Sequence, residues 1–242
     1  MTRVVLFTAV LLPSMCVIAQ EKTHEMIGQL GSRTTLVVLH ASRLADGGWQ
    51  IAGEYIVLPT LTRRFLEGEA SPKIGVTTLR EGTTAILFGH TATAELRGTW
   101  RDGVFKGTRF APGGQERERF EFSEEFPSMD RYSARVRCAA AAGRYASTLA
   151  YAIDTGKVQS FEWRSSVAPT GHVCALASAE QQSMKGGLRL TSGRCTITLR
   201  DLGDSIGVSA ESCVEQCGSQ AYLEALLVDR RGNCRLLRPE PR

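Results

Sequence analysis

From residue 20 to residue 137 the chain carries no cysteine; from Cys138 to Cys234 it carries six: Cys138, Cys174, Cys195, Cys213, Cys217 and Cys234. What they become depends on the compartment. Met1 to Ala19 reads MTRVVLFTAVLLPSMCVIA, with Arg3 ahead of an apolar run from Val4 to Leu12, then Pro13 and small residues. Val17-Ile18-Ala19 before Gln20 fits the cleavage pattern of a secretory signal peptide. The run is interrupted by proline and too short for a comfortable membrane span. The seventh cysteine, Cys16, would leave with the leader, because Pro13-Ser14-Met15 is a poor lipid-attachment sequence. The mature chain is thus expected to be periplasmic or secreted, with no transmembrane segment after signal cleavage. An even number of thiols there predicts disulfides.

Two other uses of the cysteines fit less well. Cys213 and Cys217 have three residues between them and no Cys or His pair at finger spacing after them, so no metal site is expected. A redox pair would favour Cys-x-x-Cys. Alternation of apolar residues sets an expected hairpin register of Leu199 with Ile206, Ile197 with Val208 and Cys195 with Ala210. That register turns Cys213 to the opposite face and favours Cys195 with Cys217, leaving Cys213 with Cys234. Cys138 and Cys174 then straddle a hairpin around Asp154-Thr-Gly-Lys157. There Tyr151 faces Phe161 and Leu149 faces Trp163, over a three-residue loop with a left-handed Gly156.

Both halves read as β structure. Trp49, Ile51, Tyr55 and Val57 alternate with Gln50, Ala52, Glu54 and Ile56, Ala94, Leu96 and Trp100 with Thr93, Glu95, Arg97 and Thr99, and Phe120 and Phe122 with Arg119 and Glu121. Asp46-Gly47, Glu81-Gly82, Asp102-Gly103 and Gly232-Asn233 are turn signals. Only the alanine-rich Ser133 to Thr148 leaves a short helix open as an alternative to a strand. The expected fold is all-β: two small antiparallel β-barrel or meander domains, the second disulfide-stapled. The acidic, proline-bearing Glu124 to Asp130 marks the boundary, giving a signal peptide over 1–19, a cysteine-free β domain over 20–128 and a disulfide-rich β domain over 129–242.

Charge shifts at that boundary. Residues 20–130 hold 13 basic and 15 acidic side chains, residues 131–242 hold 15 and 10. Arg230, Arg231, Arg235, Arg238 and Arg242 make the C-terminal end basic, which suits an anionic glycan or an acidic envelope protein as readily as plain solvation. No aromatics interleave with the basic residues, so no nucleic-acid surface is expected.

In the first half, Met26-Ile-Gly-Gln-Leu-Gly31, Ile51-Ala-Gly-Glu-Tyr55, Phe65-Leu-Glu-Gly68, Leu79-Arg-Glu81 and Leu96-Arg-Gly-Thr-Trp100 resemble one another. They are similar to an uncharacterised class of secreted bacterial β domains with Gly-x-Tyr, Leu-x-Gly and Gly-x-Trp on successive strands. In the second half, Gly171-His-Val-Cys174, Cys217-Gly-Ser-Gln-Ala-Tyr222 and Arg231-Gly-Asn-Cys234 resemble cysteine-stapled periplasmic domains of the c-type lysozyme inhibitor kind. Those inhibitors insert a Ser/Gly-containing loop into the lysozyme cleft. Thr191-Ser-Gly-Arg194 is the counterpart here, in neighbours that depart from the pattern. The resemblance and the basic end together give Ser192, Arg194, Tyr222, Arg230 and Arg231 as expected partner contacts.

Catalytic groups are sparse. His24-Glu25 begins a metalloprotease-like pair, but Gly28 stands where the second histidine belongs. His40 reads as a satisfied strand residue and His90 as a strand end. Glu67 and Glu69 share a face, near Arg63 and Arg64. His172 and Cys174 share a strand face, an arrangement a thiol enzyme could use, although export favours a bridged Cys174. The expectation is an exported, non-catalytic envelope protein without cofactor that binds another macromolecule, as a lysozyme inhibitor or an accessory factor. The rivals are a small apolar-ligand carrier lined by Trp49, Tyr55 and Trp100, and a thiol enzyme using His172 and Cys174.

Overall fold

The computed structural model describes residues 21–58, 60–70, 75–84, 91–177, 180–218 and 223–237. The expected leader over 1–19, His90, Tyr222, Arg238 and Arg242 lie outside them. The described chain is nearly all β. Eight strands come first: β1 (Glu21–Leu30), β2 (Arg33–Arg43), β3 (Trp49–Val57), β4 (Thr62–Ala70), β5 (Thr77–Gly82), β6 (Ala94–Arg101), β7 (Val104–Phe110) and β8 (Glu116–Ser123). Each pairs antiparallel with the next, and β8 returns to β1, so they close a barrel.

The recurring glycine motifs are the inner face of this barrel. Met26, Ile51, Tyr55, Leu66, Leu79, Leu96, Phe105, Phe120 and Phe122 pack into one buried core. Gly28, Gly53, Gly68, Gly98 and Gly107 share their parity along the strands. A Cβ at any of them would collide with the backbone of the adjoining strand, such as Val38 for Gly53 and Thr78 for Gly68. Closing eight strands into a small cylinder requires strongly coiled strands, and bare backbone at inward positions permits it. The outer face carries charge on several strands, including Arg80, Glu95, Lys106, Arg119 and Glu121. An outer-membrane barrel has the reverse arrangement, an apolar outside around a polar inside.

After the connecting residues 124–133 come β9 (Ala134–Ala142), β10 (Tyr145–Asp154), β11 (Lys157–Val167) and β12 (His172–Ala177), a four-stranded meander. The alanine-rich stretch is therefore a hairpin rather than a helix. Ala142 pairs with Tyr145 across a tight Gly143-Arg144 turn. A six-stranded meander follows: β13 (Glu180–Met184), β14 (Gly187–Ser192), β15 (Cys195–Asp201), β16 (Ser205–Glu211), β17 (Leu226–Asp229) and β18 (Cys234–Leu236), with one helical turn, α1 (Val214–Cys217), after β16. The inner faces of the two meanders share one core around Trp163, Leu149, Leu176, Ile197, Leu199 and Val208.

Three disulfides tie this half together: Cys138–Cys234, Cys174–Cys217 and Cys195–Cys213. They correct all three expected pairings. The hairpin register has slid by two, with Leu199 opposite Val208 and Ile197 opposite Ala210. A slide of two keeps every side chain on its face, so the apolar pattern cannot distinguish it. Ser212 then adopts a left-handed backbone (φ 57°), which breaks strand parity and returns Cys213 to Cys195. The β10–β11 register matches expectation, with Leu149 opposite Trp163 and Tyr151 opposite Phe161. Its loop is two residues, not three. Thr155 and Gly156 both have positive φ, and the extra residue, Gln159, sits in a bulge. Glu81-Gly82 is not a turn but the end of β5.

The two halves meet along a row on the outside of the barrel. Ile27, Leu36 and Ile56 from β1–β3, with Leu58 and Leu61, pack against Phe126, Leu202, Leu227 and Leu237. The guanidinium of Arg200 lies 4.4 Å from the Phe126 ring centroid and pairs with Glu25 at 2.5 Å.

Candidate binding cleft

Where the six-stranded sheet extends past that apolar row, its outer face and the first residues of β1 diverge. They line an open cleft of about 530 Å³. Strand pairing lays out its floor. Arg189 on β14 faces Thr198 on β15, and Thr198 faces Ser209 on β16. One step along, Thr196 faces Glu211. These residues point outward because Cys195, Ile197 and Leu199 alternate with them and fill the core. The facing wall is Lys22, Thr23, His24, Glu25 and Glu124, and Arg200 lies at the back.

Several cleft groups are already matched. His24 Nδ1 meets a Glu124 carboxylate oxygen, and the His24 ring stands edge-on to Trp100. Arg200 is held by Glu25. The hydroxyls of Thr196, Thr198 and Ser209, the cations of Lys22 and Arg189, and the carboxylate of Glu211 make no side-chain hydrogen bond or ion pair to another described residue. The cleft thus presents three half-buried hydroxyls beside exposed side chains of both signs, Lys22, Arg189 and Glu211.

A second polar cluster lies inside the barrel, at the end bearing the β1–β2, β3–β4 and β7–β8 turns. The Glu81 side chain is fully buried and accepts bonds from Arg109 Nε (2.6 Å) and Nη2 (2.8 Å) and from the Tyr55 hydroxyl (2.8 Å). Arg64 stands 3.7 Å away, and Arg109 also reaches Glu118 at 3.1 Å. Burial alone would raise the Glu81 pKa, but the Arg109 bonds and charge outweigh it, and the carboxyl titrates below its ordinary value. Burial and the adjoining Glu81 carboxylate push the Tyr55 phenol well up, and the Glu81 bond raises Arg109. Every member is matched, so the cluster acts as an internal brace.

The described members of the expected contact set do not come together. Ser192 and Arg194 lie at the β14–β15 turn, where Gln216 Nε2 donates to the Ser192 carbonyl and Arg194 pairs with Glu215 at 3.6 Å. Arg230 and Arg231 lie at the β17–β18 turn, at the other end of β15, roughly 20 Å away along the strand. The Arg230 guanidinium grips Asp201 and the Gly203 carbonyl, so it is committed to the fold.

The other candidates have structural partners too. Cys174 is bridged, and His172 Nε2–H donates to the Cys217 carbonyl at 2.7 Å. His40 is bonded to Thr23, Glu67 pairs with Arg80 rather than Arg63 or Arg64, and Arg63 pairs with Glu54. Among the described residues, no group of three or more His, Cys, Asp or Glu side chains is placed to hold a metal ion. No described helix is long and apolar enough to cross a membrane.

Sequence reasoning missed Lys22, Arg189, Thr198 and Ser209. The alternation of β15 did mark Thr196, Thr198 and Arg200 as outward. That they face β1 is a product of tertiary packing alone. No protein-family model, no curated protein and no solved structure matches this chain.

Proposed function

We propose that this is an exported, non-catalytic protein that binds another envelope macromolecule in the cleft between the barrel and the stapled sheets. The observation that carries the reading is the cleft's set of unmatched groups, the hydroxyls of Thr196, Thr198 and Ser209 beside Lys22, Arg189 and Glu211. The half-buried hydroxyls of Thr196, Thr198 and Ser209, without partners, favour a ligand that supplies them. Three disulfides suit an oxidising, extracellular or periplasmic environment, and export through the leader at 1–19 belongs to the same proposal.

The rival readings have less support. A carrier of small apolar ligands needs room in the barrel, and that interior is packed with Phe105, Phe120, Phe122, Met26 and their neighbours. Tyr55 spends its hydroxyl on Glu81. A thiol enzyme needs a free Cys174, which is bridged.

The test is capture from envelope extract on immobilised full chain, with Ser209→Trp as the cleft-filling variant. Capture by the wild type that the variant loses supports the reading; equal capture by both removes the cleft from it. The inhibitor version has its own assay: a c-type lysozyme that keeps full activity at micromolar protein ends it.

A further inference from the structure

We infer that the cleft takes an extended peptide segment of a partner protein, which adds as a strand to the open edge of β1 at Thr23 and Glu25. This rests on the cleft being the binding site, and it adds the partner's class and its mode of recognition.

β1 is fully paired on one side only. Against β2 it is paired from Glu21 to Leu30, against β8 from Ile27 to Leu30. Past Ser123 the chain leaves β1, and the Glu124 N–H donates to the Gly103 carbonyl of the β6–β7 turn. Strand parity identifies the backbone groups left over. The Gly31 N–H donates to the Arg119 carbonyl, and in an antiparallel strand every second residue turns both its N–H and its C=O to the same neighbour. Gln29 and Ile27 therefore face β8, and Glu25 and Thr23 face the space beyond its end. The β1–β2 ladder has no bulge to alter that phase. Among the described residues, the N–H and C=O of Thr23 and Glu25 have no backbone partner.

A second observation puts this edge in the cleft. Lys22, Thr23, His24 and Glu25 all line it. A strand presenting a face would contribute every second residue; an edge contributes residues in succession. An unpaired edge is a template for another extended chain, with main-chain bonds giving affinity and alternate side chains giving specificity. The rest of the lining sets the guest's chemistry. Lys22, Arg189 and Arg200 are balanced by Glu25, Glu124 and Glu211, and no apolar side chain joins them, so neither a charged nor an apolar anchor is called for. The outward face of β1 carries Glu25 to Arg200 and Ile27 to the Phe126 row, so it is the face turned to the six-stranded sheet. Guest residues opposite Thr23 and Glu25 thus turn toward the hydroxyls of Thr196, Thr198 and Ser209. The segment that fits is uncharged, with hydroxyl or amide side chains at alternate positions. A second copy of β1 fits poorly. Paired antiparallel about Thr23, its Glu21 would stand opposite Glu25, and directly opposed like charges destabilise.

The experiment uses the isotope-labelled full mature chain and the hexapeptide acetyl-Thr-Gln-Thr-Gln-Thr-Gln-amide, read by amide chemical shift and hydrogen exchange. In the free protein the Thr23 and Glu25 amides should exchange faster than those of His24 and Met26, which are bonded to β2, and the peptide should slow them. Thr23→Pro removes the edge N–H and leaves the β1–β2 ladder intact, since proline is tolerated where the N–H faces outward. It should weaken binding by about tenfold or more, because a guest carbonyl then lacks its donor. Thr23→Val keeps the N–H and should bind as the wild type does. Both variants lose the hydroxyl bond to His40, so their difference reads the backbone alone. Circular dichroism checks that each has folded. N-methylation of every second peptide residue should abolish binding in one phase and be tolerated in the other, a test that needs no variant.

Binding that survives Thr23→Pro, or N-methylation in both phases, overturns the proposal, because the edge is then unused. No binding of the hexapeptide up to its solubility limit also overturns it. A wild-type dimer in sedimentation that Thr23→Pro abolishes places a second copy on the edge and overturns the foreign guest. The capture experiment separates these failures from that of the broader reading. Envelope capture lost in Ser209→Trp but kept in Thr23→Pro keeps the cleft and discards the added strand. No capture by the wild type discards both.

Discussion

A carboxylate with no exposed surface persists only where its charge is met at close range. Glu81 meets that condition through Arg109 and Tyr55, with Arg64 nearby. Removing the charge while keeping the shape, as in Glu81→Gln, leaves the Arg109 guanidinium half-enclosed with Glu118 as its one remaining acid. The expected cost is about 3 kcal/mol, read as a lower urea midpoint at unchanged slope. The same residue sets a pH dependence. Its folded pKa lies below the unfolded value, so its contribution is complete above about pH 4.3 and is lost as pH falls through the folded pKa. Wild-type stability should decline across that acid range, and Glu81→Gln should decline less steeply. Equal slopes would show that other carboxylates dominate. The parity of Thr77, Leu79 and Glu81 already places this acid inward. Beside Gly82 it reads instead as a turn, because an unpaired acid belongs in water and its distant partner Arg109 cannot be seen locally.

Strand existence was legible because the inner faces of the barrel alternate over long runs, and the tight turns at Asp46-Gly47 and Asp102-Gly103 punctuate them. Register was legible only where bulky residues define it. Trp163 opposite Leu149 and Phe161 opposite Tyr151 leave little room for a slide. Between β15 and β16 the apolar residues are interchangeable aliphatics, so the slide by two and the break at Ser212 were invisible, and the cysteine pairing went with them. Closure of the barrel is an element-scale property carried by the inward glycines. Gly53→Ala puts a methyl against the Val38 carbonyl and the Leu39 side chain, and β2 and β3 must part to admit it. A loss of about 2–3 kcal/mol is expected, measured as a depressed melting temperature. Gln50→Ala, exposed and outward on the same strand, should stay within ~0.5 kcal/mol of wild type. A Gly53→Ala variant as stable as wild type would show that the glycines do not govern coiling.

At the scale of the whole molecule, the all-β architecture and the disulfide-bearing second half were readable because strand alternation and cysteine chemistry are local to residue type. The cleft was not, since its wall lies on β1 and its floor on β14–β16, joined only by folding. The staples are distributed unequally along the chain. Cys138–Cys234 closes a sequence separation of 96, Cys195–Cys213 one of 18. Constraint of the unfolded chain grows with loop length, from about 3 kcal/mol for a short loop to between 4 and 5, approximately, for one near a hundred residues. Replacing Cys138 and Cys234 together by alanine should therefore destabilise more than replacing Cys195 and Cys213. The barrel has no cystine and its own filled core, and it touches the stapled half through a row of aliphatic side chains with Phe126, the Glu25–Arg200 ion pair and a Thr34–Asp204 hydrogen bond. Full reduction should then loosen residues 134–237 first. Limited proteolysis of the reduced protein should cut there while a fragment near residues 21–123 survives, identifiable by mass. Simultaneous loss of both halves at every protease concentration would mean that the Phe126 row couples them into a single cooperative body, and that the cleft between them opens only by global unfolding.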